Sequence, residues 1–147
     1  MYKLHLHKTL LIFLLPFLLL AQSQKKDGTK LTYDELKNLY FENDIKPKKQ
    51  IEYAASYLKK AKSENNLVQK AKGYYLCSLL QEPKKAIVYL DSSIASSKNS
   101  NDIKFPAYAY SEKAYALQKQ FKFKNAIDNF LLAEKIAKKT IPISITK

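Results

Sequence analysis

The side chains able to carry chemistry are few. Asp34 stands beside Glu35, and Glu42 lies two positions from Asp44. Paired carboxylates serve as general acid and base when their surroundings push their pKa values apart. Here the first pair falls in Thr32-Tyr33-Asp34-Glu35, which fits a capping box, and the second flanks the break at Asn43-Asp44. Negative charge at a helix start is favourable in itself, so both pairs read as solvated carboxylates. Cys77 is the single cysteine, set in the apolar stretch YYLCSLL, and reads as a buried free thiol with no internal disulfide partner. His5 and His7 are the only histidines, and there is no arginine and no tryptophan. Nucleophile–base pairs and zinc sites draw on histidine and clustered cysteine, which the chain beyond residue 7 lacks. With Gly28 and Gly73 as the two glycines, no phosphate-cradling loop can form. The expectation is a non-enzyme with no catalytic residue, no metal site and no cofactor.

The N-terminus has its own logic. Lys3 and Lys8 precede the apolar run TLLIFLLPFLLL at 9–20, and Ala21-Gln22-Ser23 follows with small residues at both ends. Basic start, short apolar middle and small-residue exit are the layout of a secretory signal over 1–23, with cleavage before Gln24. The run is shorter than the roughly 20 residues a spanning helix needs, and Pro16 weakens it further. Export to the periplasm or cell envelope is therefore expected, with membrane attachment only through an uncleaved signal or a C-terminal part that is missing. Removing Lys3 and Lys8 lowers the formal charge from +13 to +11. All 26 basic residues are lysines scattered along the chain. Bidentate readout of guanine or phosphate favours the planar fork of arginine, so no specific nucleic-acid binding is expected.

The elements that must position any site are helical. Residues 24–32 read as a flexible lead-in. Leu36, Leu39 and Tyr40 mark a helix over about 33–42, and Ile51, Ala54, Ala55, Leu58 and Ala61 mark a second over 48–62. A third covers 67–80, a fourth starts at Pro83, a fifth runs 106–119 and a sixth 123–138. Residues 96–104, SSKNSNDIK, read as the longest polar loop, and 139–147 as a tail. No segment alternates with period two over a useful length, so the chain is predicted all-α, with its folded part over 33–138.

A small–bulky–small pattern recurs in every second helix. Ala54, Leu58 and Ala61 match Ala86, Leu90 and Ser93, and these match Ala126, Phe130 and Ala133. Positions i, i+4 and i+7 share one helix face, where small residues admit a neighbouring helix and the bulky one fills the gap. In this arrangement the chain resembles the tetratricopeptide repeat family. Its third unit places Tyr110 at the family's early tryptophan, Ala114 at its small glycine and Leu117 at its tyrosine, with Phe123, Ala126, Phe130 and Ala133 completing the pattern. The second unit matches through Gly73, Leu76, Ala86, Leu90 and Ser93, with one extra residue before Ala86; the first matches in its second helix alone. Phe121 replaces the family's turn glycine, and the closing proline is displaced to Pro142. The resemblance implies antiparallel helical hairpins, about three, stacked as a short right-handed solenoid that serves as a protein-interaction or sensor module.

It also implies a site. In the family the first helix of each repeat lines a groove for peptides, and by offset the third unit would present Tyr108, Ser111, Tyr115, Gln118 and Lys119. The second unit would present Lys70, Tyr74 and Cys77. Tyrosines beside lysines suit an acidic or aromatic-bearing peptide or protein partner of unknown identity. The stretch from KKAIVYLDSSIASSKN through KNAIDNFLLAEKIAKK is also similar to the exported repeat region of Bacteroidetes AraC-like transcriptional regulators. That similarity implies the sensor part of such a regulator, without its membrane helix and DNA-binding half. Three repeats are near the minimum for stability, so self-association is a further expectation.

Overall fold

The computed structural model describes residues 30–98, 100, 102 and 104–139. The signal-like segment 1–23, residues 24–29 of the lead-in and residues 140–147 of the tail lie outside the described residues. Among the described residues six helices follow one another: α1 (Tyr33–Glu42), α2 (Pro47–Ser63), α3 (Leu67–Ser78), α4 (Pro83–Lys98), α5 (Lys104–Gln118) and α6 (Phe123–Lys138). Among the described residues there is no strand, as the absence of period-two patterning predicts. None of these helices is long and apolar enough to cross a membrane.

Each helix starts and stops for a local reason. The capping box at α1 forms: the Glu35 amide donates to Thr32 Oγ1 at 3.2 Å, and the Thr32 amide donates back to Glu35 Oε2 at 2.8 Å. At the other end of α1 the buried Gln50 donates from Nε2 to the Tyr40 carbonyl at 3.1 Å, satisfying one of the carbonyls a helix end leaves open. Asn66 caps α3 by accepting from the Gln69 amide, and Pro83 opens α4 where its missing N–H costs nothing. Two helices end in the same way. The Asn66 amide reaches back to the Ala61 carbonyl after Asn65 at φ 49°, and the Lys122 amide reaches Leu117 after Phe121 at φ 58°. Asparagine tolerates that left-handed conformation; phenylalanine rarely adopts it.

One expectation fails at its start. The polar stretch SSKNSNDIK does not begin a loop at residue 96, because α4 continues to Lys98. Ser96 donates to the Ser92 carbonyl at 2.9 Å and Ser97 to Ser93 at 2.9 Å, so both hydroxyls are satisfied inside the helix. That lets Ser96 and Ser97 be buried. At the far side α5 begins at Lys104, two residues before Pro106, which the first helical turn accommodates.

The helices pack in chain order, each on the next, with a further contact between α3 and α5. The largest core gathers Leu36 and Tyr40 from α1, Ala54, Tyr57 and Leu58 from α2, and Leu76 and Cys77 from α3. A second joins Ala86, Leu90 and Ile94 of α4 to Ala109 and Ala116 of α5, and a third joins Ala114 and Leu117 to Ala126. The small positions are contact points. A Cβ on Gly73 would lie 2.9 Å from the Leu58 Cα, so only glycine lets α3 approach α2 this closely. Ala61, Ala71, Ser93, Ala109 and Ala114 are fully buried, and Ala126 and Ala133 nearly so. Ser93 does more than stay small: its hydroxyl donates to the Ala71 carbonyl at 2.8 Å, tying α4 to α3.

Candidate functional site

The odd-numbered helices α1, α3 and α5 share a face, and an apolar cleft of about 240 Å³ opens on it. Lys37 and Phe41 come from α1, Lys72, Tyr75 and Leu76 from α3, and Phe105 and Tyr108 from α5. Helical spacing explains the set. Lys37 and Phe41 are four apart, Lys72 and Tyr75 three apart, and Phe105 and Tyr108 three apart, so each pair lies on one helix side. Direct packing of α3 on α5 then brings the last two pairs together.

Three of its rings pack on one another. Tyr75 stands 6.0 Å from Phe105 and 6.2 Å from Tyr108 between centroids, and Phe105 is 6.1 Å from Tyr108, all in tilted or edge-on arrangements that aromatic rings favour. Tyr108 is 54% exposed and so offers its ring to a ligand. Burial pushes the Tyr75 phenol up to about 12, with Glu112 and Tyr108 adding to the effect, so it is a neutral hydrogen-bond donor at physiological pH.

Lys72 lies at the centre. Its ammonium stands 5.9 Å over the Phe105 ring and 5.9 Å over the Tyr57 ring. Burial lowers its pKa, as does the nearby Lys37 charge, while Asp34 and Asp102 oppose that shift weakly. Lys37 itself is engaged with Asp34 at 3.3 Å. Among the described residues the ammonium of Lys72 thus meets rings rather than a carboxylate, a setting in which an incoming anion gains more than it would from a lysine already paired. Chemically, the cleft provides an apolar slot walled by aromatics with one under-compensated positive charge.

The residues expected from the family offset are distributed as follows. Tyr108 lines the cleft. Tyr115 and Lys119 line a smaller hollow of about 70 Å³ farther along α5, with Glu112, Ser78 and Gln81, and the Tyr115 ring meets Phe130 edge-on at 5.0 Å. Ser111 is half-buried and Gln118 exposed, and neither lines the cleft or the hollow. Tyr74 turns towards α4, 6.4 Å from Tyr89, with the Lys62 ammonium 5.1 Å over its ring. Its neighbour Tyr75 takes the place on the cleft. Lys70 is half-buried, and Cys77 is buried in the first core, where desolvation pushes its thiol up to about 11, against the pull of Lys62. A thiol so held is inert at neutral pH.

The offset therefore did not single out Lys37, Phe41, Lys72, Tyr75 or Phe105. The signal for them was present: each odd helix repeats a lysine or aromatic with an aromatic three or four positions on. Asp34 and Glu35 sit in the first turn of α1, where the capping box places them, and Glu42 ends that helix with Asp44 in the break beyond it. Among the described residues no three His, Cys, Asp or Glu side chains gather closely enough to hold a metal ion. A scan of protein-family models, of curated proteins and of solved structures finds none that matches this chain.

Proposed function

We propose that the chain is a non-catalytic, tetratricopeptide-like protein-interaction or sensor module whose α1–α3–α5 cleft takes an acidic peptide segment bearing an aromatic or aliphatic side chain. Three features support the repeat reading: packing of helices in chain order, the α3–α5 contact across one intervening helix, and the recurring small–bulky–small face. The single observation that carries the ligand class is Lys72, half-buried over two rings with its charge disfavoured by desolvation. A carboxylate beside an apolar side chain would compensate that charge while filling the slot. Export to the cell envelope, proposed from the N-terminal pattern, would place this cleft among envelope proteins.

A peptide array probed with the full chain tests the reading. Retained sequences should combine Asp or Glu with Phe, Tyr or Leu, and Tyr108→Ala should weaken retention roughly tenfold, as loss of one aromatic anchor does. Equal retention of basic peptides, or retention indifferent to Tyr108→Ala, would remove the cleft from consideration.

A further inference from the structure

The turn between α5 and α6 carries a second feature, separate from the cleft. Phe121 holds a left-handed backbone, φ 58°, and is 81% exposed, so burial of its ring returns nothing for the strain. Phe123 is 55% exposed and stands 6.1 Å away, edge-on. The apolar stripe runs on along α6 through Ile127 and Leu131, each one helical turn farther and more than half exposed. Ile87 occupies the matching place on α4, where it packs against the second and third cores. The outer face of α6 thus offers what α4 uses for packing, and among the described residues nothing covers it. Lysines flank it: Lys122 and Lys124 alternate with the two rings and Lys135 follows along the helix, all exposed, while Lys138 pairs with Glu134 at 2.5 Å.

We propose that this turn and face dock on an anionic lipid bilayer, with the Phe121 and Phe123 rings entering the headgroup–acyl boundary and the lysines meeting lipid phosphates. Exposed aromatics interleaved with lysines, on one side of an amphipathic helix, have the composition of an interfacial membrane contact. The rings project from a turn tip, a shape that a fluid interface accepts without a complementary pocket. A second copy fits less well. Pairing the Phe121–Phe123 tips of two copies would oppose Lys122 and Lys124 of one chain to those of the other. The acidic flank of α1, with Asp34, Glu35 and Glu42, exposes Phe41 as its one large apolar side chain, and Phe41 lines the cleft.

The chain has no tryptophan, so Phe121→Trp in the full chain gives one emission that reports this site alone. Phosphatidylglycerol vesicles should shift that emission to shorter wavelength, brominated acyl chains should quench it, and high salt should reverse both. Phosphatidylcholine vesicles should do neither. Replacing Lys122 and Lys124 together by glutamine should weaken binding roughly thirtyfold, the contribution expected of two lysines at an anionic surface. Phe121→Gly relieves the backbone, so it should melt no lower than the parent while losing vesicle affinity, which separates docking from folding. Emission unmoved by vesicles overturns the proposal, including when the chain sediments with them through residues 9–20. An equal shift for Phe41→Trp also overturns it, as does a shift that follows protein concentration without lipid, which would assign the face to a second copy.

Discussion

Tyr75 and Lys72 sit side by side on the cleft with opposite electrostatic consequences. Burial raises the Tyr75 phenol from 10.0 to about 12, and Tyr33, Tyr40 and Tyr57 are raised as well, each with desolvation as the main cause. In each case the unfolded chain releases the proton first as pH rises. The stability these tyrosines contribute is complete below pH 10 and is lost as pH climbs through their folded-state values. Cys77, raised from 9.0 to about 11, acts in the same direction. Lys72 runs the other way, since its folded pKa is depressed, but one part-exposed group does not offset five. Thermal melts followed by circular dichroism should therefore fall steadily from about pH 9 to pH 12; a flat profile across that range would contradict the burial of these side chains. Little of this was legible in the sequence. Cys77 reads as buried from its apolar neighbours, but which tyrosines hide and which stay wet depends on helix rotation, as the fully buried Tyr57 and the exposed Tyr108 demonstrate.

Helix ends and helix contacts carry the next set of consequences. The Thr32 capping box, the Pro83 start and the six helical periods could be read directly, because each is a local pattern of a few residues. Side-chain compensation could not, and the serines of α4 are the instance: a polar run reads as a loop until each hydroxyl finds a carbonyl one turn back. Close approach is likewise visible only in three dimensions. Gly73→Ala gains about 1 kcal/mol of helix propensity, yet its new methyl meets the Leu58 backbone, and overpacking of that kind costs about 1–3 kcal/mol. The clash wins because backbone atoms cannot rotate away. The substituted chain should melt several degrees lower, and an unchanged or higher melting temperature would show that α3 and α2 are not so close. Phe121→Gly should act oppositely, adding roughly 0.5–1 kcal/mol by relieving the left-handed strain that phenylalanine bears and glycine does not. Chemical denaturation would expose the error if that variant unfolds at lower denaturant.

Across the molecule, the sequential packing of α1 to α6 sets two surfaces apart. The odd helices build the aromatic cleft around Lys72, and α6 presents its lysine-edged apolar stripe to the outside. Both surfaces serve the proposed reading of the chain as an interaction or sensor module. The helical periods were legible, and of the residues named by the family offset Tyr108 lines the cleft, but the cleft's charge centre came from packing of α3 between α2 and α5. On the proposed reading, Lys72 is held at a stability disadvantage that an acidic ligand relieves. Lys72→Met tests that reading, since methionine keeps a flexible apolar side chain of similar shape and removes the ammonium that stands over the Tyr57 and Phe105 rings. Calorimetric titration of an acidic, aromatic-bearing peptide, paired with a thermal melt, should give at least about tenfold weaker binding and a melting temperature equal to or above the parent's. Unchanged affinity, or a fold that melts lower with affinity intact, would contradict the account.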